Sequence, residues 1–325
     1  MKKRYALPLL FVVALAGAFV FLQTLDTDPA AMEAKYTNEH SRFAEGPGGL
    51  RVHYRDEGNR NGVPIVLLHG NSASLHTWAP LVERLGGEYR LITLTLPGHG
   101  LTGPNGAHDY SADGMLAALN LVAAETGLQR FVLGGNSMGG WLSWRYALDH
   151  PDRVEALLLL DAAGMPLREG EEEPPLNLGF RLLAHPAGRF LMQRFTPRAA
   201  VEESMRQSVS VQSIVTEEAV DRYWELLRYP GNRKAAGQRF LTVREPQYAE
   251  RIGEIAAPTL ILWGAQDRLI YASAAQTFEE RMQNTRVIVY EGVGHLPMEE
   301  APDRTAADID AFLDDVLVSQ ASGTL

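Results

Sequence analysis

Ser137, Asp267 and His295 have the residue types and settings that acyl transfer to a serine requires. Ser137 lies in Gly135-Asn136-Ser137-Met138-Gly139, a G-x-S-x-G pattern. Asp267 lies in Gly264-Ala265-Gln266-Asp267, and His295 in Gly292-Val293-Gly294-His295. A neutral serine hydroxyl is a poor nucleophile, so an imidazole must take its proton as it attacks. A carboxylate then fixes the imidazole tautomer and stabilises the imidazolium. The apolar run at 131–133 reads as a strand and 138–149 as a helix, so Ser137 falls on a sharp strand-to-helix turn. Flanking glycines suit that turn, because a side chain there would strike a neighbouring element. The competing reading is a glycine-rich turn whose serine only caps the helix. The strand before, the helix after and the order Ser, Asp, His favour the nucleophile.

Other residues compete for these roles. Asp161 follows the strand at 154–160 and rivals Asp267 as the acid. His69 and His99 fall at the same sheet edge as His295; each is read as supporting its own loop through backbone hydrogen bonds. The acidic run 169–173 reads as a solvated hinge loop.

The elements that must position these groups alternate along the chain. Apolar strands are expected at 64–68, 89–96, 131–133, 154–160, 259–263 and 286–290. Helices are expected at 78–85, 111–126, 138–149 and 303–316, with Ser111 and Asp113 as cap candidates. Continuous apolar strands between helices predict a mostly parallel sheet covered on both faces. The strand ends then share one edge, where residues far apart in sequence converge. Residues 50–55 alternate and read as a further strand, with a hairpin-like turn at 58–62. From 165 to 247 no strong strand appears, and amphipathic segments at 178–183, 190–195, 217–227 and 235–243 predict a helical cap. The expected divisions are a membrane segment at 1–25, a tether at 26–46, core at 47–164, cap at 165–247 and core again at 248–325.

The chain has 325 residues, a formal net charge of −10 and no cysteine. The acidic balance argues against nucleic acid as a partner. The lack of cysteine excludes disulfides and a cysteine nucleophile. Lys2-Lys3-Arg4 precedes an uncharged apolar run at 6–22. As a helix that run spans roughly 26 Å, near the lower limit for crossing a bilayer. It reads as an uncleaved anchor, with a cleaved signal ending near Ala16-Gly17-Ala18 as the alternative. Either places the catalytic part on the non-cytoplasmic side, membrane-anchored or secreted.

Five motifs in order carry a resemblance: HGN at His69, PGHG at Pro97, GNSMGG at Gly135, WGAQD at Trp263 and GVGHLPMEEAP at Gly292. From about residue 43 to 317 the chain resembles an α/β-hydrolase of the capped type. The resemblance implies an eight-stranded, mostly parallel sheet, a helical lid after the sixth strand, and a Ser-His-Asp triad. It also implies an oxyanion hole of two backbone N–H groups, from Met138 and Asn71, with Ser72 as second choice to Asn71. No cofactor, metal or obligate protein partner is implied. Serine at 137 separates the chain from epoxide hydrolases and haloalkane dehalogenases, which need an aspartate nucleophile. The expected activity is hydrolysis of a small-molecule carboxylic ester with an apolar, lipid-like acyl group. GNSMGG also resembles carbon–carbon bond hydrolases, but the HGNSAS loop and Leu296 after His295 depart from their pattern. The rival from another class is a non-catalytic ligand-binding protein on the same fold.

Overall fold

The computed structural model describes residues 23–176, 178–241 and 246–322. Among them, eight strands form one sheet: β1 (Ser41–Gly46), β2 (Leu50–Gly58), β3 (Pro64–Leu68), β4 (Arg90–Leu94), β5 (Phe131–Asn136), β6 (Val154–Leu160), β7 (Thr259–Gly264) and β8 (Thr285–Tyr290). Their order is β1-β2-β4-β3-β5-β6-β7-β8. Only β2 runs against the rest; it pairs antiparallel with β1 and with β4, and every other pairing is parallel. The sheet is therefore mostly parallel, as the apolar runs predicted.

Strand β6 shows why these runs become buried strands. Leu157 and Leu159 belong to one face's core, with Leu142, Trp144 and Phe278. Leu158 and Leu160 belong to the other, with Trp78, Ile309 and Phe312. Each such leucine contributes about 1.5–3 kcal/mol by leaving water. Helices Met138–Asp149 and Ala112–Glu125 cover the first face, and Pro302–Ser322 covers the second. Ser111 caps its helix by accepting from the Gly114 N–H at 3.2 Å.

Between β6 and β7 the regular elements are helical: Leu178–Ala184, Pro186–Met192, Arg198–Ser208, Glu217–Leu227, Asn232–Leu241 and Pro246–Glu250. Arg198–Ser208 was not expected. It is polar overall and buries no residue fully, so no apolar run announces it. Glu169, Glu172 and Glu173 are exposed, as a solvated loop requires.

Two expectations need correction. Residues 26–46 are not a free tether. Asp28 caps helix Pro29–Tyr36, which has proline at its start. Met32 is buried with Leu101 and Leu226, and β1 joins the sheet. Two of the charges that suggested a solvated linker are paired with the cap: Asp26 with Arg233 at 2.5 Å and Lys35 with Glu225 at 2.7 Å. The turn at 58–62 is not a hairpin, because β4 lies between β2 and β3. The apolar run at 6–22 lies outside the described residues. Among those described, no helix is long and apolar enough to cross a membrane.

Candidate active site

Ser137 follows β5 with φ 54° and ψ −116°. A non-glycine residue in such a conformation costs about 1–3 kcal/mol and persists only where its surroundings hold it. Here the Ser137 N–H donates to the Leu160 carbonyl at 3.1 Å, and its carbonyl accepts from Ala163 and Trp141, both at 3.0 Å. A Cβ on Gly139 would collide with the Leu68 carbonyl, and one on Gly135 with the Gly139 carbonyl. Gly139→Ala should therefore lower stability by about 3 kcal/mol or more. Gly87→Ala, where a Cβ meets nothing within 4 Å, serves as the control. Urea midpoints of the two variants give the comparison, and equal midpoints would contradict the close approach.

The second group stands beyond β7 and β8. Asp267 Oδ2 lies 2.7 Å from His295 Nδ1. Both residues are buried, at 5% exposure each. Asp267 Oδ1 accepts from the Leu269 and Ile270 N–H groups at 2.7 and 3.1 Å. A carboxylate on Nδ1 puts the imidazole proton there and leaves Nε2 as an acceptor. Asn136 Nδ2 donates to the His295 carbonyl at 3.0 Å, which fixes the histidine loop beside the serine turn. Ser137 is partly exposed, and its hydroxyl makes no hydrogen bond among the described residues. Asp161 is fully buried beside this pair. Its Oδ1 accepts from the Gly264 N–H at 3.0 Å. Burial and the neighbouring Asp267 carboxyl push the Asp161 carboxyl well above the usual range.

The loop after β3 forms the third part. A Cβ on Gly70 would stand 2.8 Å from Asn136 Oδ1 and 3.2 Å from Ser137 Cβ, so this backbone passes directly against the serine. The N–H groups of Asn71, Ser72 and Met138 have no hydrogen-bond partner among the described residues. His69 and His99 support their loops. His69 Nδ1 contacts the Gly70 carbonyl at 2.7 Å, and its Nε2 accepts from the Leu96 N–H at 3.0 Å. His99 Nδ1 contacts the Pro97 carbonyl at 3.1 Å.

Burial lowers His69 from 6.5 to about 4. Between those values the unfolded chain binds a proton that the folded chain does not. Stability is thus complete above about pH 6.5 and falls as pH drops toward 4. The loss at pH 5 is about 2 kcal/mol from this group. Urea midpoints at pH 7 and pH 5 measure it, and an unchanged midpoint would contradict a buried neutral His69.

Two charged residues here were missed in the sequence. Glu300 accepts from the Gly294, Leu296, Ser210 and Val211 N–H groups, so one carboxylate joins the His295 loop to the cap. The His295 N–H itself donates to the cap's Ser208 carbonyl at 3.0 Å. Arg239, on cap helix Asn232–Leu241, donates to the Gly98 carbonyl at 2.7 Å and to Asn71 Oδ1 at 3.2 Å. Glu300 lies within the GVGHLPMEEAP motif, but nothing in the sequence marks either charge as buried.

The chain is similar to known proteins along most of its length. A family model described as the alpha/beta hydrolase fold matches residues 63–302. The chain is 27% identical over 327 residues to Lipase 3 of Moraxella sp. (strain TA144), covering 96% of this chain and 98% of that protein. It is 27% identical over 286 residues to a 2-hydroxy-6-oxononadienedioate/2-hydroxy-6-oxononatrienedioate hydrolase of Burkholderia vietnamiensis, covering 86% and 96%. The crystal structure of a membrane phospholipase A superposes with a TM-score of 0.73 at 26% identity, covering 97% of this chain and 99% of that one. The matched region runs from the start of β3 past His295, and the chain belongs to the α/β hydrolase fold family.

Proposed function

We propose that the protein is a serine carboxylic-ester hydrolase that acts on apolar, lipid-like acyl esters through an acyl-enzyme on Ser137. His295 Nε2 takes the hydroxyl proton as Ser137 Oγ attacks the ester carbonyl. The tetrahedral oxyanion accepts hydrogen bonds from the Asn71 and Met138 N–H groups, each worth about 3–4 kcal/mol in the transition state. Collapse expels the alcohol, which takes the proton from His295. Water activated by the same imidazole then releases the acid, and Asp267 stabilises the imidazolium in both halves.

The observation that carries this reading is the Asp267–His295 hydrogen bond, tied through Asn136 to a strained, partly exposed serine. Unpartnered N–H groups on both sides of that serine support the oxyanion hole. Leu167, Leu176, Phe190 and Leu191, exposed between 41% and 49% around the cap, support an apolar substrate. So does the similarity to a lipase along nearly the whole chain.

A second reading is carbon–carbon bond hydrolysis of vinylogous diketones on the same residues. The similarity to the Burkholderia hydrolase favours it. The test is turnover of p-nitrophenyl esters from acetyl to long acyl chains, alongside a vinylogous 1,5-diketone. Hydrolysis that peaks beyond the shortest chains is expected. Activity on acetate alone would overturn the apolar substrate, and activity on the diketone alone would overturn the esterase.

A further inference from the structure

Asp161 has no part in the steps above, yet its carboxyl sits within the same cluster. One ligand atom each from Asp161, Asp267 and His295 lie within 4.8 Å of one another, and all three residues are buried. Asp161 is 0% exposed and takes a φ of 43° at the end of β6. A non-glycine residue rarely adopts that conformation without a compensating contact. Oδ1 is satisfied by the Gly264 N–H, whereas Oδ2 is buried with no partner among the described atoms.

Two buried carboxyls this close cannot both ionise at neutral pH. The Gly264 N–H opposes protonation of Asp161, while Glu300, on helix Pro297–Glu300, is also acidic and adds a weaker push of the same sign as Asp267. One proton must be shared by the pair, and the hydrogen bonds decide where it sits. Asp267 accepts from two backbone N–H groups and the imidazole, so its oxygens already hold donors that favour the anion. Asp161 accepts from one. We infer that Asp161 is a positioning residue, a neutral acid whose Oδ2–H donates to Asp267 and holds the carboxylate that orients His295. This role rests on the esterase reading for its catalytic consequence, although the placement of the proton does not.

The donor holds Asp267 in place and offsets the charge of its carboxylate, so the proton taken from Ser137 stays on His295. Asparagine at 161 can reproduce the arrangement, with its amide N–H donating to Asp267 and its carbonyl accepting from Gly264. Leucine cannot do either.

The first test is the infrared difference spectrum of wild type minus Asp161→Asn at pH 7. A protonated-carboxyl C=O band that is present in wild type and lost in the variant is expected. Its absence overturns the inference whether or not esters are hydrolysed. A bridging cation would also remove the band, because bound carboxylates carry no C=O stretch of that kind. The second test is the pH profile of kcat/KM. Asp161→Leu should lower kcat/KM at least about tenfold and raise the pKa of the acid limb, and Asp161→Asn should restore both. If Asp161 were ionised, Asp161→Asn would remove a negative charge beside His295 and drop the acid limb by about one unit or more. That drop would overturn the inference. A carboxyl band in a protein that turns over neither esters nor diketones would support the shared proton and sink the hydrolase reading alone.

Discussion

Ser137→Ala should lower kcat for ester hydrolysis by about ten-thousand-fold or more, with little change in folding stability. The serine hydroxyl makes no hydrogen bond among the described residues, so its removal leaves no buried partner unsatisfied. The turn itself is held by backbone bonds to Leu160, Ala163 and Trp141, which alanine keeps. Alanine also meets the same positive φ without adding bulk. The covalent route is lost, because Ser137 Oγ is the atom to which the acyl group would bond. The residual rate would come from the oxyanion donors acting on water. Steady-state rates and urea midpoints on the same preparation separate the two effects. A fall in rate matched by a fall in stability would point to a structural serine.

His295→Ala should cost as much, about ten-thousand- to million-fold in kcat. The double variant Ser137→Ala/His295→Ala should be no slower than Ser137→Ala alone. The imidazole acts only by moving the proton of the serine and of the water that follows, so without the serine it has nothing to accelerate. This non-additivity is the sharper part of the prediction. His295 also carries structure, because its N–H and carbonyl bond Ser208 and Asn136. Both use the His295 backbone and survive the substitution. Independent, additive losses would mean that the two residues do not work as a unit.

How legible this was in the sequence depended on the kind of interaction. Strands β3, β6 and β7 are buried on both faces, so their apolar runs announce them. The Ser137 turn is legible because glycine spacing records a steric fact, the approach of Gly139 to β3. Helix Pro29–Tyr36 and strand β1 were hidden because they are short and charged, and Lys35 of the helix finds its partner Glu225 190 residues away. The insertion of β4 between β2 and β3 was hidden because pairing register is a tertiary property. Asp161 was visible only as a rival to Asp267. Whether two carboxyls share one proton depends on distance and burial, which residue types do not encode. The buried charges Arg239 and Glu300 were illegible for the same reason.

The central claim is a covalent acyl-enzyme on Ser137. Incubation with a fluorophosphonate, followed by intact mass and peptide mapping, tests it most directly. The account predicts one adduct per chain on the peptide that carries Ser137, blocked by prior binding of a long-chain ester and absent from Ser137→Ala. An unmodified Ser137 in protein that hydrolyses esters, or an adduct on another residue, would contradict it.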